Sequence, residues 1–101
     1  MWVMVMFDLP SATGADRRRY VRFRKELLRQ GFEMRQKSVY LRWEETAARA
    51  DVTCNLITRI SPAEGRVTAM KLTSRAMSSA RTLVDRRAEE PLHVPDEFLL
   101  C

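Results

Sequence analysis

Asp8 is the first residue placed where it could do chemistry. It closes the apolar stretch of residues 1–7 and opens onto Leu9-Pro10-Ser11, so its carboxylate stands where a strand gives way to a loop. Two roles fit that place. Asp ahead of Leu-Pro-Ser is ordinary turn chemistry, in which the side chain bonds nearby backbone. A strand-end carboxylate can also hold Mg²⁺, which takes one or two protein carboxylates and fills its other positions with water and phosphate oxygens. One Asp per chain is thin for a nuclease. A two-fold axis near the loop would bring two together, and their mutual repulsion would make the site depend on a cation and on pH.

The second concentration of chemistry is cationic. Residues 15–30 hold Arg17, Arg18, Arg19, Arg22, Arg24, Lys25 and Arg29 against Asp16 and Glu26 alone, so this stretch carries the whole net charge of +5. The rest of the chain balances. At 100° per residue Arg18, Arg22, Lys25 and Arg29 fall within about 60° of one another, on the side opposite Tyr20, Val21, Phe23, Leu27 and Leu28. Such a stripe is either a solvated helix face or a rail for phosphates. Arg outnumbers Lys in it, which favours the rail, because a guanidinium is a planar multi-donor fork that stays charged. Arg17 and Arg24 fall inside the apolar arc instead. There a guanidinium must snorkel, pair with a carboxylate, or face a cavity or a partner.

Other reactive side chains offer less. His93 is the only histidine, sits in the tail, and has no neighbour that completes a base–nucleophile pair, so a surface or packing role fits it. Cys54 and Cys101 are far apart, form no CxxC pattern and read as packing residues, in keeping with a reducing cytosol. The six Met read as core fillers. No phosphate-binding loop, dinucleotide fingerprint, zinc spacing or nucleophile elbow occurs, and Gln30-Gly31-Phe32-Glu33 is not the aromatic RNA-recognition signature.

The elements that must carry these residues follow from periodicity. Residues 2–7 read as a strand buried on both faces in mid-sheet. The basic helix follows, with Ser11, Thr13 and Gly14 as cap candidates, Asp16 three residues after Thr13, and Gly31 as its stop. Residues 32–37 and 38–43 alternate as two short strands hinged at Gln36-Lys37, with Val39, Leu41 and Trp43 on one face and Ser38, Tyr40 and Arg42 on the other. Residues 44–60 form a second amphipathic helix with Ala48, Val52, Leu56 and Ile60 in a row and Ile57 beside it. Residues 67–73 make a strand, 74–80 a short helix or turn, and 81–87 a final strand.

The order β-α-β-β-α-β is the split-βαβ, ferredoxin-like arrangement of an α+β domain, with an extra C-terminal strand. Residues 1–88 form that domain, and residues 89–101 a tail that packs on a dimer mate or another partner. Apolar positions on both strand faces suggest a symmetric homodimer. The length of 101 residues suits one domain, and 46% apolar residues exclude a wholly disordered chain. The longest apolar run is far short of the roughly 20 residues a membrane span needs, and no basic segment precedes it as in a signal peptide. A basic cytoplasmic protein with no membrane association is expected.

At this point the sequence resembles a known family. Met4-Val5-Met6-Phe7-Asp8-Leu9-Pro10, then Arg17-Arg18-Arg19-Tyr20 leading to Phe23-Arg24-Lys25-Glu26-Leu27-Leu28, then Gly31-Phe32 and Gln36-Lys37-Ser38-Val39-Tyr40, resemble CRISPR-associated protein two. This is the small core subunit of the prokaryotic spacer-acquisition machinery. The resemblance covers residues 2–43 closely and the 67–73 strand more loosely. It implies a ferredoxin-like homodimer between two dimers of the CRISPR integrase subunit, holding a double-stranded DNA prespacer. Some family members are described as Mg²⁺-dependent endoribonucleases or endodeoxyribonucleases. Their strand-end aspartate corresponds to Asp8, their helix cations to Arg17–Arg19, Arg22 and Arg24, and their Ser/aromatic strand motif to Ser38 and Tyr40. Where many members have Tyr before the aspartate, this chain has Phe7.

Two function classes therefore stand side by side. The first is a duplex-binding scaffold that contacts phosphates without reading sequence, through the cations named above with Lys25, Arg29 and Ser38. The second is a Mg²⁺-dependent phosphodiesterase centred on Asp8, with single-stranded RNA as an alternative substrate. A toxin-like ribonuclease dimer on the same fold is a third, weaker reading.

Overall fold

The computed structural model describes residues 1–86. Four strands and three helices run in the order β1 (Trp2–Asp8), α1 (Gly14–Arg29), β2 (Glu33–Gln36), β3 (Val39–Trp43), α2 (Ala47–Ile60), β4 (Arg66–Leu72) and α3 (Ser74–Ser78). The sheet order is β2-β3-β1-β4, and every pair is antiparallel. That is the expected ferredoxin-like topology in an α+β domain. No helix among the described residues is long and apolar enough to cross a membrane.

β1 occupies the middle of the sheet because both of its faces are apolar. Val3, Val5 and Phe7 are buried with Tyr20, Phe23, Leu27, Ala50 and Ile57 of the two long helices in one core. Met4 and Met6 point the other way, where Met4 lies opposite Leu41 of β3 and Met70 of β4. Trp2 also lies on this second face, its ring edge-on to Trp43 with centroids 5.3 Å apart.

α1 begins where its cap residues place it. Thr13 accepts from the Asp16 N–H at 3.0 Å and Asp16 accepts from the Thr13 N–H at 3.2 Å, so the capping box is complete. At the other end Gly31 takes a φ of 89°, and the Phe32 N–H reaches the Leu27 carbonyl at 3.1 Å. The buried residues are Tyr20, Phe23, Arg24 and Leu27. Leu28, placed in the apolar arc on sequence, is 38% exposed. The sheet meets the helix along the i, i+3, i+4, i+7 seam, and Leu28 stands on its flank.

Three expectations change. α2 starts at Ala47 rather than at residue 44, because Thr46 caps it by accepting from the Arg49 N–H at 3.1 Å. Its buried face is Ala50, Thr53 and Ile57 with Cys54 and Ile60 beside them, whereas Ala48 is exposed and Val52 is 56% exposed. A row spaced only by four drifts about 40° per step, so it spirals off any fixed face. The β2–β3 turn is Lys37-Ser38, one residue later than expected, with Ser38 at a φ of 63° and a register shift between Met34 and Gln36.

The final strand is the third change. Residues 81–86 contain no strand, since none of them enters a ladder with a neighbour. Arg87, the 89–101 tail, His93 and Cys101 lie outside the described residues.

Candidate nucleic-acid interface and strand-end carboxylate

The structure separates the cations of α1 into three groups. Arg18, Arg22 and Lys25 are exposed and form no ion pair among the described residues. Arg19 and Arg29 are exposed too, but each bonds a carboxylate three residues earlier, Asp16 and Glu26, at 2.5 Å. Pairs of this kind are weak in water and exchange readily, so a phosphate can take the place of the carboxylate. Asp16 is held below the ordinary carboxylate value first by the Thr13 N–H, and Glu26 first by the Arg29 guanidinium.

Arg17 and Arg24 part ways. Arg17 is exposed, and its Nη1 reaches the Ser11 carbonyl at 3.4 Å. Arg24 is 7% exposed and belongs to the buried side of the helix, as its angular position indicated. In this structure Arg24 therefore presents no open guanidinium, while Arg18, Arg22, Lys25 and Arg29 form a continuous outward row.

Asp8 is the last residue of β1 and is exposed. It lies opposite Arg66 across the β1–β4 ladder, a neighbour that local sequence did not announce. No ion pair joins the two. Among the described residues no group of three His, Cys, Asp or Glu stands together as a metal cage. A single open carboxylate suits a well-hydrated Mg²⁺ shared with phosphate oxygens, and does not suit an enclosed structural metal.

The backbone around Asp8 is held from two sides. The N–H of Phe7 donates to the Ser38 carbonyl at 3.1 Å, and Ser38 Oγ lies 2.9 Å from Tyr20 Oη. The Tyr20 ring is edge-on to Phe7 with centroids 5.6 Å apart. On the other side Gly65 approaches so closely that a Cβ there would stand 2.7 Å from the Asp8 carbonyl oxygen. Ser38 is thus brought beside the strand end, half-buried, with its hydroxyl already engaged. Tyr40 is 1% exposed and stacks on Phe7 at 5.7 Å, so the aromatic of the Ser38/Tyr40 pair is a core residue.

Comparison with known proteins decides the family. Residues 1–80 match the family described as CRISPR associated protein Cas2. The chain belongs to the Cas2 family. A Cas2 from Paracidovorax avenae, named a CRISPR-associated endoribonuclease, is 38% identical over 98 residues, covering 97% of this chain and 91% of the relative. Cas2 proteins of the same name from Parvibaculum lavamentivorans and Lacticaseibacillus rhamnosus are 35% and 38% identical, each over 99% of both chains. The Cas2 match includes every element from β1 to α3, and with them both Asp8 and the cationic helix.

Proposed function

We propose that this Cas2 protein is a duplex-binding scaffold of CRISPR spacer acquisition, a two-fold dimer that holds a double-stranded prespacer and bridges integrase dimers. One observation carries the reading: Arg18, Arg22, Lys25 and Arg29 stand in an outward row on α1, and the first three have no acidic partner among the described residues. From Arg18 to Arg29 the row is about 16 Å long, and each strand of a duplex offers one phosphate per about 3.4 Å of duplex axis. Measured along that axis the row covers about five phosphate steps. Side chains that meet only phosphates carry no base information, so binding is indifferent to sequence.

The test is the salt dependence of duplex binding. Removing one cation from a phosphate lowers the slope of log K against log salt by about 0.9, so Arg18→Ala with Arg22→Ala lowers it by about 1.8, equally on unrelated duplexes. An unchanged slope rejects the scaffold reading.

A second reading is supported by Asp8 and by the endoribonuclease name that the relatives carry. In a dimer, the carboxylates of two copies would hold Mg²⁺, which supplies charge neutralisation at phosphate and a more acidic bound water. Asp8 would contribute an oxygen ligand. The α1 cations would retain the polyanion, and the engaged Ser38 and Tyr20 hydroxyls would hold the strand end in place. Asp8→Asn abolishes Mg²⁺-dependent cleavage on this reading, while duplex affinity stays the same or rises because a negative charge is gone. Cleavage that survives in well-purified Asp8→Asn protein excludes it.

A further inference from the structure

Polar contacts towards both ends of α1 tie it to β3 and the turn before it. Towards its N-terminus, Tyr20 Oη shares a hydrogen bond with Ser38 Oγ at 2.9 Å. At its C-terminus, Arg42 Nη1 donates to the carbonyl of Gln30, the cap residue, at 2.6 Å. Ser38 immediately precedes β3, and Arg42 is its penultimate residue. Ser38 and Arg42 are four residues apart, about 13 Å along an extended chain. Tyr20 and Gln30 are ten residues apart, about 15 Å along a helix. The spans agree, so both contacts form without bending either element.

Each anchor is itself held. The Ser38 carbonyl accepts the Phe7 N–H at 3.1 Å. Arg42 donates through Nε to the buried Glu44 at 2.7 Å, and the Glu44 N–H bonds the Met1 carbonyl at 2.8 Å. Both anchors therefore connect to β1, the middle strand, and to the residue that precedes it. Phe23 and Leu27 give α1 apolar contacts in the core. Apolar contact is non-directional and sets the roll of a helix less sharply than hydrogen bonds, which weaken steeply with angle. A roll of about 20° carries a side-chain tip roughly 6 Å from the axis by about 2 Å. That breaks a contact made at hydrogen-bond length, and it displaces every cation of the outward row together.

We infer that Tyr20–Ser38 and Arg42–Gln30 are a pair of positioning contacts that set the roll of α1, and with it the line of the cationic row against a nucleic-acid backbone. The inference rests on the scaffold reading and adds to it. Tyr20 and Arg42 touch no phosphate in this scheme. They fix where Arg18, Arg22, Lys25 and Arg29 stand, with β3 as the gauge.

Tyr20→Phe keeps the ring and removes the hydroxyl. Arg42→Lys keeps the charge, but a single ammonium cannot reproduce the fork that serves both Glu44 and Gln30. Net charge is unchanged in both variants, so any change in salt slope reports geometry. The slope is measured on the full chain with two duplexes of equal length and unrelated sequence, beside circular dichroism for folded fraction. In the double variant about one phosphate is expected to go unmet, giving a slope smaller by about 0.9 on both duplexes. A purely structural role would reduce the folded fraction and leave the slope of the folded protein unchanged, and that result overturns the inference. If the double variant does not fold, the single variants decide by the same criterion. A slope that falls for Arg18→Ala with Arg22→Ala but not for the positioning variants removes this inference alone. A slope insensitive to all of them removes the scaffold reading and this inference with it.

Discussion

Gly65 lies tight against the backbone of Asp8 and Leu9. Its φ is 95°, and a Cβ would stand 2.7 Å from the Asp8 carbonyl oxygen and 2.8 Å from Leu9 Cδ2. Backbone strain and collision act together, so Gly65→Ala is expected to destabilise the fold by about 2–3 kcal/mol. Urea denaturation reads this as a lower midpoint at unchanged slope. A destabilisation below about 0.5 kcal/mol would show that the 61–65 turn relaxes freely. At this scale the sequence displayed Asp8 and the Arg row plainly, because residue type, strand end and helical angle are all local. Arg66 was hidden because ladder register brings it to Asp8 from far along the chain. The Tyr20–Ser38 bond was hidden for the same reason, 18 residues separating its partners.

The helices show how far periodicity reaches. For α1 the capping box and the Gly31 stop are short-range chemistry, and both formed as their residue types dictated. For α2 the expected apolar row holds towards the C-terminal end, where Ile57 is buried and Ile60 packs against the core, and fails at Ala48 and Val52, which are exposed. Ala50, with no exposed surface, and Ile57 take the core positions, while Val52 faces outward. Small residues such as Ala50 carry a weak hydrophobic signal yet admit close packing of a helix on a sheet, which is why the pattern misled. Ile57→Ala is therefore expected to cost about 2–5 kcal/mol. Val52→Ser should change stability by no more than about 0.5 kcal/mol. Thermal or urea unfolding of the two variants separates these positions. Equal destabilisation would return Val52 to the core beside Ile57.

The sheet has two faces, and the helices α1 and α2 cover only one. On the other, Trp43 is 46% and Met70 41% exposed, beside Trp2, Met4 and Leu41. The outward cations lie on the far side of α1, so a copy seated on this apolar face would leave both cationic rows open. A two-fold dimer and a phosphate rail are therefore compatible on one small domain. Met70→Asp places a charge on the β4 side of that face, directly opposite Met4. Sedimentation equilibrium is expected to show the unsubstituted chain as a dimer and this variant as a folded monomer. A variant that stays dimeric would place the contact elsewhere.

Family, element order and the concentration of charge were determined by the sequence itself, because cap residues, period-two and period-3.6 patterns and a run of arginines are properties of neighbouring positions. Tertiary structure decided which cations stand open, which face of α2 is core, and what surrounds Asp8. Those depend on contacts between residues far apart in the chain. Arg17 and Arg24 both fall inside the apolar arc by helical angle, and only the packing of α1 on the sheet buries Arg24 and leaves Arg17 exposed.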